Sequence, residues 1–293
     1  MKKLLQPVFD FILFSNTFMA LCAIAQGLVT FYLIDSKPIF PVLALLFAGT
    51  LGLYSFSILL GKPEQPEKSP YKRARWFFSH YRLMVTITIV CFLSLIPLFF
   101  EISDESKILL IFLAIISFAY SLPLFTLGDK KFGLRNIPGL KQFLITLVWT
   151  MSTVLFPLLE ALHNHTGSVS MRDATILIAK RFLLIGALSI PFDIRDLFQD
   201  RQTGLKTIPT MWGEKNAYLF CQVLLGGYVV LLFLFRNGGF NGDFFALTLT
   251  AILAGWLIFR STIEKNEYYY FFGVDGILIL QYVILIAFSK INF

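Results

Sequence analysis

Three aspartates carry the most suggestive chemistry in this sequence: Asp193, Asp196 and Asp200, spaced three and four residues apart. At about 100° per residue they fall within about 60° of arc on one face of a helix. Carboxylates gathered on one face repel one another unless a cation sits among them. Mg2+ suits such a group, because it takes a few carboxylates and completes its octahedron with waters and phosphate oxygens. Arg195, Arg201 and Lys206 lie in the same run and offer fixed positive charge to the same anion. Spacing alone also allows a solvated helix end whose acids and bases form surface ion pairs. The position of the run favours the first reading. It continues directly from an apolar segment, so the carboxylates lie at a membrane boundary, where ionisable residues tend to be functional.

The elements that must position this cluster are membrane helices. Of the 293 residues, 57% are hydrophobic and only 15% charged, with a mean hydropathy of +0.73. Soluble domains are roughly 45–50% apolar and about 25% charged. Long unbroken apolar runs, rather than alternating short ones, select helices over a barrel. Nine spans are predicted, near Phe9–Ile34, Ile39–Leu60, Leu83–Phe100, Lys107–Phe125, Gln142–Leu159, Ala174–Phe192, Ala217–Phe235, Phe244–Ile263 and Tyr270–Phe288. Residues 1–293 thus read as a single all-α, polytopic transmembrane bundle of about nine helices. The amino-terminal apolar stretch is longer than a signal-peptide core and is read as an uncleaved first span. Asp243 is placed as the N-cap of the eighth.

A formal charge of +7 could suggest nucleic acid, but in a membrane protein Lys and Arg collect in cytoplasmic loops. With the amino terminus inside, the cytoplasmic tail and loops hold 18 Lys and Arg against 5 on the other face. The expectation is a multi-pass protein, as of a bacterial inner membrane, with its amino terminus cytoplasmic and its carboxy terminus opposite. No nucleic-acid partner is expected. Cys22, Cys91 and Cys221 lack metal-ligand spacing and read as buried spectators. His163 and His165 make a weak metal pair, and His80 reads as a headgroup-level residue. Lys180 and Arg181, inside the sixth span, are expected to snorkel toward the outer interface. Asn16 and Asn136 could face a cavity or bond between helices.

The run Asp193–Gly213 resembles the second aspartate-rich motif of the UbiA-type intramembrane prenyltransferases, an Asp cluster followed by a Gly, then Lys-Thr-Ile-Pro and a later Gly. Gly204, Lys206, Thr207, Ile208, Pro209 and Gly213 match it. Tyr120–Pro123 at the end of the fourth span is a further echo. The resemblance implies nine helices with active-site loops after the second and sixth, on the cytoplasmic side. It also implies Mg2+ between two aspartate motifs, with Asp193, Asp196 and Asp200 as ligands. The substrates it implies are a prenyl diphosphate and a hydrophobic acceptor, commonly an aromatic ring or quinone precursor, joined within membrane lipid. A diphosphate leaving group needs charge neutralisation, and a prenyl tail needs an apolar tunnel.

The family's first motif, Asn-x-x-x-Asp-x-x-x-Asp after a Tyr, is absent. If Tyr54 sets the register, Ser57, Gly61 and Gln65 occupy the Asn and Asp positions, and the loop that follows is basic. Tyr54, Ser57, Lys62 and Arg73 are therefore expected as substrate contacts, with Lys62 or Arg73 and Arg75 neutralising phosphate charge beside a single metal. The alternative is a non-catalytic relative that binds or carries a lipid diphosphate or another anionic lipid.

Overall fold

The computed structural model describes residues 2–122, 125–127, 130–134, 137–237 and 239–290. Pro123 and Asn136 lie outside the described residues. Apolar runs of this length become helices because each backbone N–H and C=O then finds its partner within the segment, as the hydrocarbon phase demands.

The expected first span is two helices, α1 (Lys2–Phe14) and α2 (Thr17–Leu33), bent by 66° at their junction. Asn16 makes the break. It adopts the left-handed conformation, φ 70°, which Asn tolerates better than most residues. Next come α3 (Phe40–Leu60), the short α4 (Lys72–Ser79), α5 (Tyr81–Phe100) and α6 (Asp104–Ser121). A two-stranded antiparallel ribbon, β1 (Phe125–Leu127) and β2 (Lys130–Phe132), follows. Then α7 (Leu140–Thr150) runs through a π-turn into α8 (Phe156–His163), forming one span.

The sixth span, α9 (Met171–Arg195), is capped by Ser170, whose hydroxyl accepts from the Asp173 N–H at 3.1 Å. It continues a turn beyond its predicted end, so Pro191, Asp193 and Arg195 are all helical. The amphipathic α10 (Leu197–Thr203) and α11 (Ile208–Trp212) lead to α12 (Glu214–Leu234) and α13 (Gly242–Arg260). Asn241, not Asp243, caps α13, accepting from Phe244 N–H at 2.8 Å. A π-helical stretch, Tyr269–Val274, then opens α14 (Ile277–Ser289).

Among the described residues seven helices are long and apolar enough to cross a membrane, and the bent α1–α2 pair makes an eighth. The remaining predicted span, the fourth, is α6, 18 residues long, with Asp104, Glu105 and Lys107 in its opening turns. Its outward residues Ile108, Ile111, Phe112 and Ile115 are exposed and apolar. Helices neighbouring in sequence pack in turn, α7 on α9, α9 on α12, α12 on α13 and α13 on α14. The bundle closes where α14 returns to α2 and α2 meets α3. The protein is thus a multi-pass integral membrane protein, and at one end of it the end of α9 bonds residues at the start of α7 and just before α4.

Candidate active site

That end of the bundle holds the charged side chains. Asp193 is fully buried and accepts from Lys141 Nζ at 2.6 Å and from the Gln142 side-chain amide, both at the start of α7. Asp196 sits at the break between α9 and α10 (φ −90°, ψ 6°). Its two oxygens take a two-point contact from Arg195, Nε and Nη2 each at 2.8 Å, and Oδ1 also accepts from Tyr71 Oη at 3.2 Å. Burial, then the neighbouring carboxylate of Asp196, pushes the Tyr71 phenol up to about 12. Asp200, on α10, is buried too. Burial pushes its carboxyl up to about 6 against the pull of Lys141, with Asp193 and Asp196 adding to the rise.

Asp193 and Asp196 therefore do not present one face to a metal. The break at Asp196 turns it toward Tyr71, while Asp193 points into the bundle toward α7. Among the described residues no three His, Cys, Asp or Glu side chains converge as metal ligands. Asp193 and Asp196 already hold cationic partners from the protein itself. The arrangement does not fit the expected Mg2+ site.

The basic loop contributes selectively. Arg73, at the start of α4, donates to the Asn16 side-chain oxygen and lies 4.7 Å over the Phe271 ring. Its backbone N–H donates to Glu267 Oε2 at 2.9 Å, so a carboxylate from the α13–α14 loop caps the N-terminus of α4. Burial, then the nearby Arg195, pulls the Arg73 guanidinium down to about 10, still cationic at neutral pH. Lys62 is exposed and sits 5.1 Å over the Tyr81 ring, while Arg75 bonds loop carbonyls at Ser69 and Pro70. Arg201 and Lys206 are exposed. These four lie away from the cavities.

Two cavities meet here. An apolar chamber of about 520 Å³ runs between α3, α5, α6 and α7, lined by Gly49, Leu53, Tyr54, Ser57, Leu113, Ser117, Tyr120 and Val148 among others. A polar pocket of about 190 Å³ is lined by Arg73, Lys141, Gln142, Asp193, Arg195 and Asp275. Tyr54, Arg73, Ile145 and Trp149 line both. Trp149 Nε1 donates to Tyr54 Oη at 3.0 Å, so these two aromatics form the partition. Of the residues the sequence proposes, Ser57 lines the chamber, Arg195 the polar pocket, and Tyr54 and Arg73 both.

Asp275 and Lys141 went unnoticed as site residues. Asp275 interrupts an apolar span, and an ionisable residue there is itself a functional signal.

The model of the UbiA prenyltransferase family matches residues 78–268, roughly two thirds of the chain. The chain belongs to this family. The UbiA fold is seen throughout: a UbiA homolog from Archaeoglobus fulgidus bound to GPP and Mg2+ aligns with TM-score 0.67 at 13% identity, covering 96% of this chain and 99% of that one. The apo UbiA homolog from Aeropyrum pernix K1 aligns with TM-score 0.66 at 12% identity, over 93% and 97%. The Archaeoglobus homolog bound to DMAPP and Mg2+ gives 0.66 at 13%, over 96% and 99%. No curated protein matches the sequence. At these identities the likeness establishes the UbiA fold, and the chemistry must be argued from this chain's own side chains.

Proposed function

We propose that this UbiA-family protein transfers a prenyl group from an isoprenoid diphosphate to a hydrophobic acceptor, of the aromatic or quinone-precursor class, within the membrane. One observation carries the reading: an apolar chamber adjoins a polar pocket whose wall holds Arg73, Lys141 and Arg195, with Arg73 lining both. An amphiphile with a long apolar tail and a small, strongly anionic head fits that pair of cavities, and their sizes suit a small-molecule ligand. The relatives bound to GPP and DMAPP support the same donor class.

With the tail in the chamber, the diphosphate head reaches the cations and its first carbon lies near Tyr54 and Trp149. Heterolysis of the carbon–oxygen bond sends the electron pair to the diphosphate, where guanidinium and ammonium donors meet the developing charge. The allylic cation left behind faces the partition aromatics, whose ring faces stabilise positive charge and exclude water. An acceptor carbon then forms the new carbon–carbon bond, and its proton passes to the released diphosphate. Asp193 and Asp196 act here as positioning residues, holding Lys141 and Arg195 at the pocket. The excess of Lys and Arg in the loops at this end supports a cytoplasmic position for it.

The test is binding of geranyl, farnesyl and geranylgeranyl diphosphate to purified protein, followed by release of inorganic diphosphate when candidate acceptors are added. Saturable binding of at least one donor, with acceptor-dependent diphosphate release, is expected. Failure of every donor to bind would remove the reading.

A further inference from the structure

Metal-dependent capture of a diphosphate needs carboxylate oxygens free to take the cation. On the α3 side the chain offers Ser57, Gly61 and Gln65 in register with Tyr54. On the α9 side Asp193 already accepts from Lys141 and Gln142, and Asp196 from Arg195 and Tyr71. A divalent ion bound by Asp193 or Asp196 would displace Lys141 or Arg195, which would then stand beside it as a like charge.

The donors tell the complementary story. Arg73 Nε and Arg195 Nη1 are buried with no acceptor among the described residues. Both side chains belong to the polar pocket, and Arg73 also reaches the end of the apolar chamber, where a tail would give way to its head. Planar guanidinium groups hold phosphate oxygens through paired N–H···O bonds. The pocket wall carries three cations, Arg73, Lys141 and Arg195, against two carboxylates, Asp193 and Asp275.

We infer that the donor diphosphate is bound by Arg73, Arg195 and Lys141 without a divalent metal ion, with Arg73 standing in for the first carboxylate motif. This rests on the prenyl-diphosphate reading above and can fail separately from it. Arg73 is held for the task by its neighbours. The Asn16 oxygen fixes one nitrogen, Phe271 supports the plane, and Glu267 anchors the helix end that carries it.

The experiment is titration of farnesyl diphosphate into the full-length protein in lipid nanodiscs, in EDTA and in MgCl2. Wild type, Arg73→Gln, Arg73→Lys and the exposed Arg201→Gln are compared, with melting temperatures recorded for each. Wild type is expected to bind with affinities within about twofold in the two conditions. Arg73→Gln should bind at least about tenfold more weakly in both, the size of one lost charge-assisted contact. Arg73→Lys, which keeps charge but loses the fork, should fall between, and Arg201→Gln should match wild type. Wild-type binding lost in EDTA and restored by Mg2+ would overturn the inference while leaving the donor class intact, as would wild-type affinity in Arg73→Gln. No binding of geranyl, farnesyl or geranylgeranyl diphosphate in either condition would overturn the donor class as well.

Discussion

The end of α9 and the segment after α3 border the same pocket with opposite chemistry. From the last turn of α9 into α10 the chain supplies acceptors, Asp193, Asp196 and Asp200; after α3 it supplies donors, chiefly Tyr71 and Arg73. The two meet directly where Tyr71 donates to Asp196, and Arg73 and Arg195 line the same wall. A site of this kind is defined by the complement between its loops, not by either motif alone. An aspartate run read in isolation asks for a metal. The same run beside Lys141 and Arg195 has its demand for positive charge met by the protein.

The strongest way to break that complement is at its most buried member. Asp193 has 1% of its side chain exposed, and Lys141 is its ion partner at 2.6 Å. Removing one partner leaves a buried charge uncompensated, at a cost of about 3–5 kcal/mol. Lys141→Met should therefore lower stability by about that amount, and adding Asp193→Leu should recover most of it, read as reversible unfolding in detergent. If the double variant is as unstable as the single one, the pair does not couple α7 to α9 as described.

The chamber offers the next largest effect. Gly49 lines it, and a Cβ built there meets nothing within 4 Å. Gly49→Phe should fill part of the tail space. Geranylgeranyl diphosphate should then bind about tenfold more weakly, roughly 1.4 kcal/mol, with geranyl diphosphate little changed. Equal loss for both chain lengths would place the tail elsewhere.

Much of this architecture was legible in the sequence, because span length and apolarity are local properties and a bilayer reads them directly. The details that depend on tertiary pairing were not. Lys180 and Arg181 looked like interface residues, yet each is 3% exposed. Arg181 donates at 3.1 Å to the Gln26 carbonyl oxygen and to Thr153 Oγ1, and Lys180 sits 3.9 Å over the Phe235 ring. Those acceptors exist because α2 buries Gln26 and Thr30 and because the π-turn after α7 buries Thr153. Nothing near Arg181 in sequence announces them. The break at Asn16 was equally hidden, since Asn in a long apolar run signals polarity but not direction. Asp193, Asp196 and Asp200 were found by spacing, while their partners Lys141 and Tyr71 lie 52 and 125 residues away. The family resemblance supplied the motif, and only the packing showed what each carboxylate holds.

The smallest predicted effect separates the two readings of that motif most sharply, because it concerns sign. Asp196→Asn keeps the side chain's shape and an oxygen for Tyr71, but removes the charge that holds Arg195 in a two-point contact. If the carboxylate served a metal, the change would abolish donor binding. If it restrains a guanidinium that itself meets the diphosphate, the variant releases that guanidinium and leaves one less negative charge near the anion. Farnesyl diphosphate should then bind as in wild type or up to about threefold more tightly, a gain of about 0.6 kcal/mol. The gain is small because exposed and half-exposed charges are screened, and because a freed Arg195 must be ordered again on the ligand. Turnover should fall even so, since Arg195 no longer sits where the departing oxygen develops charge, and tighter binding without faster transfer is the mark of a positioning residue.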